Sequence, residues 1–472
     1  MKYEDTYFLN AQEAFKVASL QNKSDDGYIL QLCYYEGEAI ESDLVNLIHL
    51  PLETFGDDLI NGRYRIPSKL DFSGLELSPE VKLDVQLHFN MTIEQAKALR
   101  HELNHKYYET LKNAKPDFNE PLRFYLTANS NTRVMQHITQ NIVNALLKSN
   151  IEVLFDLYYG IEDSGSLKKL SEFNPHATIN INHLNNSFLN DNVFNFVWLQ
   201  DNFSIEQFKK IKKLRDRDYI FHLVKALNKH LHLYNINSQY QGFCIDTKVY
   251  KENEDIQRKN KIVMIGTSYK EGFDAVKHPK KDEIVKILLD NYITGVVNTT
   301  WKTHLQFCSL MTYYNIKEVE LGAIVRYVER DGFLLYIASM QMDYELEIYG
   351  WGWEEYTQLK NNFKGILSYG KDISKVYNSA KYTLVLGGYA LQQRTLEAAS
   401  SGCIPLVYDS RHNEEGSEDQ NCFEESLLFF KTPDDILSLL NKEHNLDLNC
   451  IVKANSYETF TNKMLTIINN QK

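Results

Sequence analysis

Gly387, Gly388, Gln393, Arg394, Thr395 and Glu397 crowd into LGGYALQQRTLEAASSGCIPLVYD, the stretch from Leu386 to Asp409. Two adjacent glycines let a backbone come close to a ligand. A helix beginning near Ala390 would offer free N–H groups to an anion, and Arg394 and Thr395 in its first turns would add a guanidinium fork and a hydroxyl suited to a diphosphate. Glu397, a turn further on, would accept hydrogen bonds from a ribose diol. The same residues also describe a plain i,i+3 surface pair of Arg394 with Glu397, behind glycines that only end a strand.

Two other clusters suggest different chemistry. His101-Glu102-Leu103-Asn104-His105 matches HExxH, in which two histidines on one helical face bind zinc and the glutamate activates water. Leu99, Leu103 and Tyr107 are expected to form the buried stripe of that helix, which leaves His101 and His105 on a polar flank with Arg100, Lys106 and Glu109. The basic run FKKIKKLRDR (208–217) invites a membrane or nucleic-acid reading, with a weak attraction to anionic lipid or an acidic acceptor. Ile205, Phe208, Ile211 and Leu214 keep helical apolar spacing through it, so an ordinary amphipathic helix is expected there, with at most peripheral membrane contact.

The elements that must position these residues alternate. RFYLTA (123–128), IEVLFDLYYG, HATININH and NVFNFVWLQD read as strands separated by helices such as VMQHITQNIVNALLKSN, a beat that implies a parallel sheet. DTKVYKENEDIQRKNK (246–261) is charged and reads as a linker. KIVMIGTS then restarts the strands; after a helical stretch from about 281 to 341 they continue through YELEIYGWG, FKGILSYG, KYTLVLGG and CIPLVYD. Residues 1–115 read as mainly helical. The expected domains are therefore that N-terminal region, a Rossmann-like domain over 116–250 and a second over 251–472.

Length and composition agree with several well-packed cores. The chain has 472 residues, 43% of them hydrophobic, with 30 Tyr and 24 Phe but only 9 Pro, which argues against long disordered tracts. A formal net charge of −12 gives no electrostatic footprint for nucleic acid. The six cysteines are scattered without a CxxC pair, so neither a disulfide framework nor a cysteine zinc site is expected. With no leader-like or membrane-spanning run, a cytoplasmic location is expected.

QQRTLEAASSGCIPLVYD resembles the donor-site segment of GT-B glycosyltransferases, and most closely that of the spore-maturation-protein (CgeB-like) branch. The first glutamate of the family's usual pair falls at position 389, where this chain has Tyr389. FNPHATININH, FNFVWLQDN, YQGFCIDTKVY, IVMIGTSY, YELEIYGWGW and GILSYGKDISKVYNSAKYTLVL have counterparts in that family in the same order, covering roughly residues 120–472. The resemblance implies an α/β GT-B fold, two Rossmann-like domains facing a cleft, here behind the mainly helical N-terminal region. It also implies transfer of a sugar from a nucleotide-sugar donor to a hydroxyl acceptor, glycan or protein, with neither a metal nor a further cofactor.

For the donor, the resemblance places the base near Leu367, Ser368, Tyr369 and Gly370. Gly350 and Trp351 follow another strand towards the same cleft. Gly266 opens the second domain, from where Lys270 reaches towards a phosphate. On the acceptor side, His137 follows the first strand after Asn131, Thr132 and Arg133 and titrates near neutral pH, as a general base requires. Asp201 at the end of VWLQD is the competing base, and His183 a third. The alternatives are a GT-B-like binding protein without catalysis and a zinc peptidase using His101, Glu102 and His105. The N-terminal region would recognise a protein acceptor or form a homo-oligomer.

Overall fold

The computed structural model describes residues 4–22, 31–44, 46–60, 64–129, 133–158, 165–200, 214–223, 225–295, 304–387, 391–409 and 424–471. They divide into two compact units, one holding most of the first 220 residues together with 464–472, the other residues 221–463 apart from a short exchange near 200–209.

The N-terminal region contains helices, and it also carries a small parallel sheet. β1 (Thr6–Phe8), β2 (Cys33–Tyr35), β3 (Leu47–His49) and β4 (Lys69–Asp71) lie in the order β3-β2-β1-β4. These strands have three residues each, too few for period-2 alternation to show, and β1 and β2 are buried throughout. A 35-residue helix, Pro79–Asn113, follows; Ser78 caps it by accepting from the Val81 N–H, and proline takes a first-turn position. Phe89 of that helix stacks on Phe55, with ring centroids 5.5 Å apart, and Phe55 meets Tyr7 edge-on.

The buried stripe of the long helix is not the expected one. It runs through Phe89, Ile93, Ala96, Arg100 and Asn104, while Leu99, Leu103 and Tyr107 are only half-buried. Arg100 is tolerated inside because its guanidinium donates to the carbonyls of Leu59 and Tyr64, acceptors that would otherwise need a partner.

The second sheet contains β5 (Arg123–Asn129), β6 (Glu152–Tyr158), β7 (Ala177–Ile181), β8 (Phe194–Leu199), β9 (Asp218–His222) and β10 (Ser238–Tyr240), in the order β10-β9-β8-β7-β5-β6. The β5–β6, β5–β7 and β7–β8 pairs are parallel. Every residue of β7 and β8 is buried, so both read as continuous strand-like runs in the sequence.

The third sheet is parallel throughout: β11 (Lys259–Ile265), β12 (Glu345–Tyr349), β13 (Phe363–Gly365), β14 (Ala380–Val385), β15 (Ile404–Tyr408) and β16 (Leu428–Phe430), ordered β13-β12-β11-β14-β15-β16. Its two faces pack into different cores. Ile262, Met264, Leu384 and Leu406 enter one, while Val263, Val385 and Val407 enter the other. Counted within this sheet the order is 3-2-1-4-5-6, so strand order reverses between β11 and β14. That is the position at which open α/β sheets leave a crevice beyond their carboxyl ends.

The stretch expected as a linker is packed against this same sheet's helices. Asn378 takes the Asn253 N–H and donates to the Lys251 carbonyl, and Arg258 donates to the carbonyls of Tyr377, Ala380 and Ser401. Tyr250 is thereby carried into the core. Among the described residues no helix is long and apolar enough to cross a membrane.

Candidate functional site

Three loops meet at the β11/β14 reversal. The chain leaving β14 turns at Gly387, whose φ of +65° is left-handed, and Gln392 reaches back to donate to the Gly387 carbonyl. The helix that follows, Gln393–Ser400, starts with no side-chain cap and no acidic residue in its first turn. Among the described residues, neither a cap nor a first-turn carboxylate meets the positive end of its dipole. Gly388 and Tyr389 lie outside the described residues.

Behind that helix start sits a buried charged group. Glu397 has no exposed surface and is paired with the Arg394 guanidinium, whose side chain keeps 31% of its exposure. The pair is thus half inside, half presented, which no solvated surface pair would be. Burial pushes the Glu397 carboxyl above the usual range, with Arg394 opposing. Among the described residues, no hydrogen bond of good geometry reaches its Oε1, Thr395 Oγ1 or the hydroxyls of Tyr250 and Tyr377, all of them buried, although the Tyr250 and Tyr369 hydroxyls stand close enough to Glu397 to join Arg394 in opposing the rise. Tyr369 stands edge-on to Tyr250 at 6.3 Å and takes a 2.6 Å hydrogen bond from Gln393 Nε2. Buried polar atoms left open in this way are costly unless something else meets them.

The loop after β11 is held rigidly. Trp353 Nε1 donates to the Gly266 carbonyl at 2.6 Å, the Ser268 N–H donates to Trp351 O at 2.9 Å, and the Gly266 N–H donates to Tyr349 O at 3.0 Å. Asp331, fully buried, accepts from the Ser268 and Tyr356 hydroxyls and from the Tyr269 N–H. Burial raises its carboxyl while those donors and Arg330 oppose.

The sequence-derived candidates divide accordingly. Gln393, Arg394, Thr395, Glu397 and Tyr369 belong to one cluster, and Gly387 leads into it. Gly266 and Gly350 are in backbone contact at the neighbouring loop, so Gly350 shapes the crevice rather than simply lining it. Lys270 Nζ is taken up by Asp274 and, at 3.4 Å, by Glu355, because it opens a short helix whose own carboxylate lies one turn on. Trp351 is 63% exposed, whereas Trp353 is buried in the core. In the other unit, His137 lies half-buried on the Arg133–Lys148 helix and His183 follows β7; Asp201 and most of the basic run fall outside the described residues. His101 and His105 are exposed, 5.0 Å apart. Among the described residues, no group of three or more His, Cys, Asp or Glu side chains is placed to hold a metal ion.

Sequence reading missed Tyr250, Tyr377, Glu329, Arg330 and Asp331. The last three share one π-helical turn, Val328–Gly332, inside an amphipathic helix. The signal was present in YVERDGFLLY, where consecutive charges interrupt a run whose periodicity demands burial.

Residues 330–463 match the family model described as Glycosyl transferase-like. That segment of the chain is glycosyl transferase-like. The match begins within the π-turn and runs through β12 to β16, including the Arg394–Glu397 cluster. AviGT4, a glycosyltransferase involved in avilamycin A biosynthesis, aligns with 73% of this chain and 96% of its own at 11% identity and a TM-score of 0.41. TarM aligns with 58% of this chain and 55% of its own at 11% identity and a TM-score of 0.30. A mutant O-GlcNAc transferase of Thermobaculum terrenum aligns over 88% and 82%, at 10% identity and 0.37. No curated protein matches the chain.

A cavity of about 490 Å³ opens at the far end of the Gln393–Ser400 helix, bordered by Glu252, Ser400, Gly402, His444 and Leu448. It is lined by the residues that end that helix, away from its uncapped start, and is not the site described above.

Proposed function

We propose that this chain is a glycosyltransferase that moves a sugar from a nucleotide-sugar donor to a hydroxyl acceptor, a glycan or a protein, without a metal or other cofactor. The observation that carries the reading is Glu397: a buried carboxylate with an open oxygen, paired to a half-exposed arginine at an uncapped helix start beside the sheet's reversal point. A nucleoside diphosphate is complementary to it. The ribose diol has hydroxyls to donate to Glu397, and the diphosphate has charge for Arg394, Thr395 and the helix N–H groups. Tyr369, held by Gln393, offers an aromatic face to the base. In the transition state, negative charge grows on the departing nucleotide, and fixed donors aimed there stabilise it without reorganising.

On this reading the region over 116–250 presents the acceptor, with His137 or Asp201 removing the proton from its hydroxyl, and 251–472 holds the donor. The N-terminal region recognises the acceptor or joins two copies. Resemblance to the spore-maturation-protein branch supports this division, and the scattered cysteines without a CxxC pair suit a cytoplasmic setting.

The test is thermal unfolding with a panel of nucleoside diphosphates and cytidine monophosphate, with and without magnesium. One nucleotide is expected to raise the melting temperature equally in both conditions, since a ligand at 100 times its dissociation constant stabilises by about 2.7 kcal/mol. Glu397→Gln, which keeps the shape but loses the anionic acceptor, should abolish that shift. No response to any nucleotide would overturn the reading.

A second reading, a binding protein of the same class that has lost transfer, is favoured by one feature, Tyr389 standing where a carboxylate is usual. It expects nucleotide binding with no donor consumed, so release of free nucleoside diphosphate that depends on an acceptor would exclude it.

A further inference from the structure

The cation that sequence spacing offers to the loop after β11 is Lys270, and the structure engages it elsewhere, with Asp274 and Glu355. A different cation occupies that place. The π-turn Val328–Gly332 inserts an extra residue per turn between the Glu318–Tyr327 and Phe333–Ala338 helices, and its three consecutive charged side chains spread across the β11/β14 reversal. Single π-turns within α-helices recur at functional sites because they break the helical register just where a side chain must be re-aimed.

Each of the three goes to a different element. Asp331 is consumed in fixing the loop, bonded to Ser268, Tyr269 and Tyr356. Glu329 accepts from the Tyr292 hydroxyl at 2.5 Å and reaches the β14 side, where its Oε2 is 3.8 Å from the position a Cβ would take at Gly387. Arg330 faces the β11 side. Its Nη1 donates to Thr267 O at 2.9 Å and lies 3.8 Å from the Cβ position of Gly266, and its guanidinium carbon lies 4.3 Å over the Tyr269 ring. Its Nε is buried without a hydrogen-bond partner among the described residues.

A guanidinium has five N–H donors in a planar fork. Holding one backbone carbonyl uses one of them, and a lysine or glutamine would do that much. Stacking on Tyr269 fixes the plane of the fork in advance, as bidentate phosphate recognition requires. We infer that Arg330 binds the diphosphate of the donor from the β11 side of the crevice, opposite Arg394 at the β14 side. The inference rests on the nucleotide-sugar reading above. The neighbouring carboxylates do not cancel it: Asp331 is saturated by three donors, and Glu329 is held by Tyr292 on the Gly387 side.

The experiment is calorimetric titration of wild type, Arg330→Gln and Arg330→Lys with the nucleoside diphosphate found to bind and with the corresponding nucleoside, at two salt concentrations, alongside their melting temperatures. Arg330→Gln is expected to weaken the diphosphate by about tenfold to a hundredfold, the range for a lost charge-assisted pair, while leaving nucleoside affinity unchanged. Arg330→Lys, with the charge but not the fork, should recover only part, and wild type should lose more affinity with salt than Arg330→Gln. Unchanged diphosphate affinity in a folded Arg330→Gln, or equal weakening of diphosphate and nucleoside, would overturn the role of Arg330 while leaving the glycosyltransferase reading in place. Failure of wild type to bind any nucleoside diphosphate would overturn both. If Arg330→Gln does not fold, Arg330→Lys decides alone: diphosphate affinity equal to wild type sinks the fork.

Discussion

Arg394→Ala is expected to abolish nucleoside diphosphate binding and to destabilise the fold by about 3 kcal/mol, at the lower end of what breaking a buried ion pair costs. The partner left behind, Glu397, has no exposed surface, and among the described residues no hydrogen bond of good geometry reaches its Oε1. Two features limit the loss: Arg394 is itself 31% exposed, and Glu397 can take up a proton. That proton gives the variant a signature in pH. Burial raises the Glu397 carboxyl above its ordinary value of 4.5, so at pH above that value the folded chain holds a proton that the unfolded chain has released. Stability attributable to this group therefore falls as pH rises through the interval between the two values, and is unaffected below it. Without the opposing guanidinium the interval widens upward. Arg394→Ala should thus be closest to wild type in mildly acidic urea titrations and furthest from it at neutral pH and above, and adding Glu397→Gln should remove most of that difference. A pH-independent loss would show that Arg394 stabilises by packing rather than by charge.

The sequence showed this pair because its context was regular. A buried strand, glycines, an amphipathic helix and another buried strand follow one another within LGGYALQQRTLEAASSGCIPLVYD, and local spacing suffices to put Arg394, Thr395 and Glu397 at a helix start. What local spacing cannot show is which remote residues complete a site. Tyr250 lies in a charged stretch that reads as a linker, and only the packing of Arg258 and Asn378 brings it in. The short strands β1 to β4 are invisible for the opposite reason, being too brief for any period to register. Arg100 reads by residue type as part of a solvated flank, but its position puts it on the face of Ile93, Ala96 and Asn104, where the Leu59 carbonyl accepts from its guanidinium.

The π-turn is a more general case. From Glu318 to Ala338 the pattern is that of one amphipathic helix, and a strictly α-helical reading gives the charged triplet at 329–331 no consistent face. An extra residue in one turn resolves the conflict by re-aiming three side chains at three partners. Consecutive charges within an apolar helical run are therefore a sequence signal for such a turn, and here they mark the crevice that the strand order independently identifies.

Gly350→Ala carries the largest expected loss of stability, about 4 kcal/mol, and distinguishes a shaped crevice from an incidental one. An added Cβ at position 350 would stand 2.2 Å from the Gly266 carbonyl oxygen and 2.7 Å from its carbon. Both are backbone atoms, and the same carbonyl is already fixed by Trp353 Nε1. The φ of +130° adds strain for any side chain, so overpacking and strain of roughly 1–3 kcal/mol each combine. For a domain of this size the melting temperature should fall by about 10 °C. Gly365→Ala is the control, since its φ is +114° but nothing among the described residues lies within 4 Å of its added Cβ; it isolates strain from collision and should fall by less than half as much. To accommodate the methyl group, Gly350→Ala must displace Gly266 to Ser268, and with them the Thr267 carbonyl that orients Arg330. Diphosphate affinity should then drop well below the melting transition, while Gly365→Ala binds as wild type does. Equal melting temperatures for the two variants would mean that the Gly266 loop yields freely, and a loop that yields freely could not hold the guanidinium fork in place for a diphosphate.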